Sequence, residues 1–277
     1  MAPTITAKTR TWTGSKPPIQ KKQCLKHNVT PAFLMAKTAP TTTLFSLALK
    51  ARIKIFQDAQ TGNVHMTRTE ALNLVGGLSH PSKMPGASYG LPTANCVTGH
   101  TLAKQPGTIC SICYANKGRY MTFARNVLPA QNRRLASIND PLWIDSMVIA
   151  LATEQWFRWN DSGDVQSVEH LGKIMEVARR TFWCRHWLAT RERKMLKIWL
   201  ADNVVPENMV VRISATYPDI PVKLLTPLIA PGVCKSNVHA AKTPVGYECP
   251  APTQFSKCDT CRMCWDREVP AVSYHQH

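Results

Sequence analysis

The chain has 277 residues, a hydrophobic fraction of 44% and a net charge of +17. This length suits one large domain or two small ones, and the apolar fraction is enough for a buried core. No apolar run approaches the roughly 18–20 residues that a bilayer-crossing helix needs, and no compact apolar signal segment opens the sequence. The sequence therefore predicts a cytoplasmic protein with no membrane partner.

The positive charge is concentrated at the start of the chain. Residues 1–54 hold ten Lys and Arg and no Asp or Glu. Such a segment is typical of a flexible basic arm. One interpretation is a nucleic-acid tether that contacts phosphates, and the other is a solvated tail, which the scarcity of aromatic residues favours. The ordered domain is predicted to span residues 55–277, with a strand or short helix over 43–56 at its boundary.

The next recognisable elements alternate between strands and helices. The stretch SKMPGASYGLPTANC (82–96) is rich in Gly, Pro, Ser and Asn, which predicts a loop. Helices are predicted within 125–140, 140–154, 165–180 and 191–202, and short strands within 155–164, 182–190 and 209–216. Asp140 is the expected N-cap of the second helix, with Pro141 at its first position.

This order predicts an α/β fold built on a parallel sheet. Each connection has the length of a right-handed crossover unit. The favoured architecture is a complete or partial (β/α) TIM-like barrel, and the alternative is a doubly wound sheet.

Polar residues follow the predicted strands. The ends of the first two strands carry Asp161, Asp164, Arg191 and Glu192. Because the carboxyl ends of barrel strands meet at one face, these four residues are predicted to line a catalytic pocket for a small molecule. The alternative is that Asp161 and its neighbours only cap the following helix.

Four cysteines near the end of the sequence have the spacing Cys249-x8-Cys258-x2-Cys261-x2-Cys264. Zinc sites usually use two separated C-x2-C pairs, whereas successive x2 spacings resemble the C-x2-C-x2-C run of bacterial-type ferredoxins. The spacing therefore favours a [4Fe–4S] cluster held by these four thiolates, with zinc as the alternative metal. Trp265 is expected to pack over the site.

A second set of cysteines consists of Cys96, Cys110 and Cys113, with a first gap of thirteen residues. Three thiolates on a cubane leave one iron open to a substrate or to S-adenosylmethionine. A cluster-binding loop at the mouth of a (β/α) barrel resembles the radical S-adenosylmethionine enzymes, although that superfamily usually has a first gap of three. The two sets could also share one cluster, so one or two clusters are expected.

The other cysteines and the histidines give weaker signals. Cys184 is predicted to pack as a small apolar residue, and neither Cys24 nor Cys234 has a partner at ligand spacing. Among the histidines, His186 is the strongest functional candidate, since the segment HWLATRE runs toward the expected pocket.

Several motifs together resemble one known family. The segments similar to the bacteriophage family of gene product 88 are SKMPGASYGLPTANC, PGTICSICYANKGRY, FRWNDSGDVQSVEHL, HWLATRE, RISAT and ECPAPTQFSKCDTCRMCWDREVPAVSYHQH. The likeness covers about residues 80–277 and includes all seven clustered cysteines. It implies a phage protein in the host cytoplasm, with a cysteine-bound iron–sulfur centre and a barrel related to radical S-adenosylmethionine enzymes. It implies no particular reaction.

Two function classes follow. The first is an iron–sulfur enzyme in which the strand-end residues surround a small molecule. The second is a metal-stabilised binding protein, in which zinc or a cluster only fixes the C-terminal segment and the basic arm binds nucleic acid.

Overall fold

The computed structural model of the protein describes residues 66–276, and the predictions for 1–54 and 43–56 lie outside them. The described helices are α1 (Arg68–Leu74), α2 (Val97–Ala103), α3 (Gly118–Thr122), α4 (Ala124–Ser137), α5 (Trp143–Ala150), α6 (Val168–Arg180) and α7 (Arg193–Trp199). The strands are β1 (Ala87–Tyr89), β2 (Trp156–Trp159), β3 (Arg185–Thr190), β4 (Met209–Ser214), β5 (Val233–His239), β6 (Tyr247–Glu248) and β7 (Ala271–His275). These residues all fall in one compact unit.

The strands form a single seven-stranded sheet in the order β1-β2-β3-β4-β5-β7-β6. Every neighbouring pair is parallel. The predicted α/β class with a parallel sheet is therefore confirmed.

The sheet is open rather than closed. Within residues 66–276, β1 and β6 are its two outer strands and do not pair with each other, so a complete barrel is not found there. The first five strands advance across the sheet in chain order. A doubly wound sheet would instead reverse its direction at a switch point.

Each face of the sheet packs into its own apolar core. Phe157, Leu188 and Ile213 point to the face that α5, α6 and α7 cover, where they join the larger core. The intervening strand residues point to the opposite face, where Trp187 packs with Trp265 of the C-terminal segment. Since side chains alternate along a strand, the sheet separates a helical face from a face covered by irregular chain. We call the latter the irregular face.

Two local predictions were wrong. The stretch 82–96, predicted to be a loop, contains β1. Gly86 allows close packing there, because a Cβ at this position would lie 1.8 Å from the carbonyl oxygen of Trp156. Asp140 is not the N-cap of α5, which begins at Trp143 with Leu142 as its N-cap. The Asp140 carboxylate instead accepts the Leu142 N–H at 2.8 Å, which forms a turn before the helix.

Candidate cysteine-rich site

The first set of cysteines lies in the connection between β1 and α4. Cys96 is the N-cap of α2, and Cys110 and Cys113 lie within and just after a short 3₁₀ segment, Ile109–Ile112. The backbone N–H of Ile109 donates to the carbonyl oxygen of Thr216, just beyond β4, at 2.9 Å. This connection therefore crosses the carboxyl ends of the strands from β1 to β4. We call Cys96, Cys110 and Cys113 the N-terminal cysteine group.

Two sulfurs of this group, those of Cys96 and Cys110, lie beside Gly99 of α2. A Cβ placed on Gly99 would be 3.5 Å from the Cys96 sulfur and 3.6 Å from the Cys110 sulfur. Burial, which is the largest cause, and the charges of Asp164, Cys113 and Cys110 together raise the pKa of the Cys96 thiol to about 12. Burial also raises the pKa of the Cys110 thiol, which the nearby Arg191 opposes. These thiols are therefore protonated near neutral pH unless a cation binds beside them.

Two of the predicted catalytic carboxylates hold the loops around this group. Glu192 accepts the backbone N–H and the hydroxyl of Thr98, both at 2.7 Å, and so fixes the first turn of α2 beside Cys96. Asp164 accepts the Thr190 hydroxyl at 2.6 Å and the Arg191 N–H at 2.8 Å, which ties the end of β2 to the end of β3. Their contacts favour a positioning role, and their catalytic role stays a prediction.

Asp164 also has an altered acidity. It is buried, and burial raises the pKa of its carboxyl to about 6, against hydrogen bonds from Thr190, Arg191 and Val165 that lower it. A carboxyl that titrates near neutrality beside the N-terminal cysteine group is suited to holding or releasing a proton.

The other two predicted catalytic residues keep unused polar atoms. One oxygen of the buried Asp161 carboxylate accepts the Tyr120 hydroxyl at 3.1 Å, while the other has no partner among residues 66–276. The Nε of Arg191 is also buried, with no partner in the described part of the chain. Asn160, another polar residue at the end of the first predicted strand, has φ 55° and a buried amide whose oxygen and nitrogen both lack partners within the same residues. Such groups at the end of a parallel strand are typical of a ligand site.

The second set of cysteines lies on the irregular face. Cys249 follows β6 and its N–H donates to Ser273 of β7, while the Cys258 N–H donates to Lys83 ahead of β1. Cys264 belongs to the 3₁₀ segment Met263–Trp265, which packs against β3 and β4. We call Cys249, Cys258, Cys261 and Cys264 the C-terminal cysteine group.

Its members are electrostatic neighbours of one another. The charges of Cys249 and Cys261 raise the pKa of Cys258, although burial is the largest cause. Burial raises the pKa of Cys264 to about 12, and the Tyr274 hydroxyl lies 3.0 Å from its sulfur. The N–H of Cys261 donates to the carbonyl oxygen of Cys258, with Asp259 between them at φ 44°. This tight turn brings two thiols to one side of the chain.

A buried arginine holds this segment on the sheet. Arg212, in the middle of β4, is 0% exposed. Its guanidinium donates to five backbone carbonyl oxygens, and it forms no ion pair with a carboxylate of residues 66–276. The five carbonyls belong to Lys235, Met263, Cys264, Asp266 and Val269. The one indication of this role in the sequence is a charged residue inside an apolar strand.

The remaining predictions for single residues have clear outcomes. His186 is a structural residue at the start of β3, far along the strand from its carboxyl end. Its Nδ1 accepts the Trp159 indole N–H at 3.2 Å, and its Nε2 lies 2.8 Å from the Thr181 hydroxyl. Cys184 is fully buried in the larger core, and Trp265 is buried with its indole N–H donating to Phe157. Cys24 lies outside the described residues.

Two kinds of feature are absent from residues 66–276. No group of three or more His, Cys, Asp or Glu side chains there is drawn together tightly enough to hold one metal ion. In the same residues, no helix has the length and apolarity required to cross a membrane.

The fold and the two cysteine groups define a cysteine-rich α/β protein. Its parallel sheet is open, with one cysteine group at the carboxyl edge and the other on the irregular face. Residues 55–267 match the family described as Gene product 88, and the chain belongs to this family of phage gene products. No curated protein and no solved structure matches the chain.

Proposed function

We propose that the protein is an iron–sulfur protein in which the C-terminal cysteine group holds a [4Fe–4S] cluster. The observation that supports this proposal is that the four cysteines of the C-terminal group lie close enough for the charges of Cys249, Cys258 and Cys261 to act on the pKa values of their neighbours. The C-terminal group offers four soft sulfur donors and no hard oxygen donor among them, a set that suits iron–sulfur clusters or zinc. Zinc is therefore the competing metal for this group.

The N-terminal cysteine group is proposed to hold a second cluster. Three thiolates leave one iron without a protein ligand, and such a cluster supplies a redox centre with an open coordination position. The side chains nearest to it are Asp164, Arg191 and Glu192. In this proposal, Glu192 and Asp164 position the cysteine loop. Asp161 and Arg191 contact a small molecule, for which S-adenosylmethionine is the leading candidate.

The raised pKa values of five cysteines support cation binding. Burial raises the pKa of Cys96, Cys110, Cys249, Cys258 and Cys264, so a nearby positive charge is needed to make these thiols into thiolates near neutral pH. Arg212 already provides one such charge near Cys264. An iron–sulfur cluster would provide most of the remaining positive charge.

The test is metal and sulfide analysis of full-length protein purified without oxygen. One cluster gives about four iron and four sulfide per chain, and two clusters give about eight of each. Cys261→Ser should lower the iron content, whereas Cys234→Ser, which changes a buried cysteine outside both groups, should leave it unchanged. Zinc without sulfide, before and after reconstitution, would replace the proposal with a zinc-stabilised protein.

A further inference from the structure

Arg158 lies on the irregular face of the sheet, between the two cysteine groups. In the strand register, Arg158 of β2 is paired with Ser88 of β1 on one side and with Trp187 of β3 on the other. Its side chain contacts Tyr114, the residue after Cys113, and its charge reaches Cys258 of the other group. A molecule bound at Arg158 would therefore lie close to both groups.

The guanidinium of Arg158 is held in a fixed orientation by uncharged groups. It stacks over the Trp187 ring at 4.4 Å from the ring centroid. One terminal nitrogen, Nη2, donates to the Tyr114 hydroxyl at 3.2 Å, and the other, Nη1, lies 3.9 Å from the Met84 sulfur. Within residues 66–276, no carboxylate forms an ion pair with this guanidinium. The cation is partly buried without a direct counter-ion.

The row that contains Arg158 also holds polar atoms without partners. The Nε of Arg158, the Oγ of Ser88 and the indole nitrogen of Trp187 are all buried, and none has a hydrogen-bond partner within residues 66–276. Ser88 is 0% exposed and Trp187 is 5% exposed. All three atoms can donate a hydrogen bond, and they belong to register-paired residues on three adjacent strands. Buried donors in such a row require acceptor atoms that the described chain does not provide.

We infer that Arg158 is an oxyanion-binding residue, and that the small molecule of the proposed site carries a carboxylate or phosphate group. The Nε and Nη2 of an arginine form one edge, which binds two oxygens of a planar or tetrahedral oxyanion in parallel. On this edge, Nε is unpaired and Nη2 contacts only the Tyr114 hydroxyl. Stacking on Trp187 fixes the plane of the fork, which lowers the entropic cost of binding. This inference rests on the proposed function for the role of the bound molecule.

The competing explanation is that Arg158 only compensates the charge of a metal-bound Cys258 thiolate. The two explanations make opposite predictions for lysine at this position. A lysine retains the positive charge but loses the bidentate fork. It should therefore preserve charge compensation and impair oxyanion binding.

The experiment measures binding of inorganic phosphate and of succinate to the full-length protein purified without oxygen. Thermal unfolding midpoints and calorimetric titrations are recorded for the wild type, Arg158→Lys and Arg158→Met. Arg185→Met is the matched control, because Arg185 is an exposed arginine on the neighbouring strand β3. We expect saturable binding of at least one probe to the wild type and to the control. Binding should be about tenfold weaker in Arg158→Lys and lost in Arg158→Met.

Each other outcome is decisive. If neither probe binds the wild type, or if both Arg158 variants bind as the wild type does, the inference is overturned, and residual binding belongs to the basic surface. If Arg158→Met does not fold, Arg158→Lys alone decides. Oxyanion binding in a protein that contains no iron or sulfide would retain the inference and reject the proposed function. Iron and sulfide in a protein without Arg158-dependent binding would retain the proposed function and reject the inference.

Discussion

Replacing Arg212 with methionine should destabilise the protein strongly. All five N–H groups of the Arg212 guanidinium donate to backbone carbonyl oxygens. Four of these carbonyls belong to residues 263–269. Each hydrogen bond from a charged group contributes about 1.5–3 kcal/mol, but removing a buried cation also relieves a desolvation penalty of several kcal/mol. The net loss should be about 3–5 kcal/mol, because the carbonyls remain buried without donors.

The assay is urea unfolding of the full-length protein, followed by tryptophan fluorescence, together with metal content. A loss of this size is a large part of the 5–15 kcal/mol typical of a domain, so the unfolding midpoint should fall clearly. The unfolding midpoint of Arg212→Lys should lie between those of the wild type and Arg212→Met, since lysine has three donors for five acceptors. Arg179→Met, which removes an exposed ion pair with Glu176, should cost no more than about 1 kcal/mol. An unchanged midpoint and unchanged metal content in Arg212→Met would refute this reasoning.

Three further predictions follow from other features. Gly99→Ala should remove only the metal proposed for the N-terminal cysteine group, because the new Cβ would lie 2.9 Å from the Cys96 Cβ and between two sulfurs. Iron analysis measures this loss. The control is Gly172→Ala, whose Cβ meets nothing closer than 3.7 Å. Burial lowers the pKa of His186 from 6.5 to about 3, so the unfolded state gains a proton first as the pH falls. The contribution of His186 to stability should therefore drop by about 1.4 kcal/mol per pH unit between pH 6.5 and about pH 3, and urea titrations of His186→Gln should show a pH dependence that is shallower by this amount. Deleting residues 1–54, which carry +10, should abolish salt-sensitive binding of a DNA or RNA oligonucleotide in an anisotropy titration, and unchanged binding would exclude the tether.

The parallel sheet was predictable because its signals are local. The alternation of apolar strands with amphipathic helices identified β2, β3 and β4 together with α4 to α7. The openness of the sheet was not predictable, since it depends on whether two outer strands far apart in sequence meet. Strand β1 was not predicted, because glycine is typical of turns. In the fold, Gly86 instead allows β1 to approach β2 closely.

The candidate site was predictable in composition but not in arrangement. Spacing alone identified the seven cysteines that the fold separates into two groups, and the strand-end rule identified the carboxylates beside Cys96 and Cys110. Sequence could not distinguish a carboxylate that holds a loop, such as Glu192, from one with a free oxygen, such as Asp161. That distinction depends on hydrogen-bond partners distant in the chain. The same limit concealed the roles of Arg158 and Arg212.

The placement of β7 between β5 and β6 has a consequence for biogenesis. In the described sheet, β6 pairs only with β7, which the ribosome makes later, and Cys249 is fixed by its hydrogen bond to Ser273 on that later strand. The C-terminal cysteine group therefore cannot take its final arrangement until translation has passed β7. A nascent chain stalled before residue 271 would therefore leave these thiols outside their final arrangement and open to oxidation.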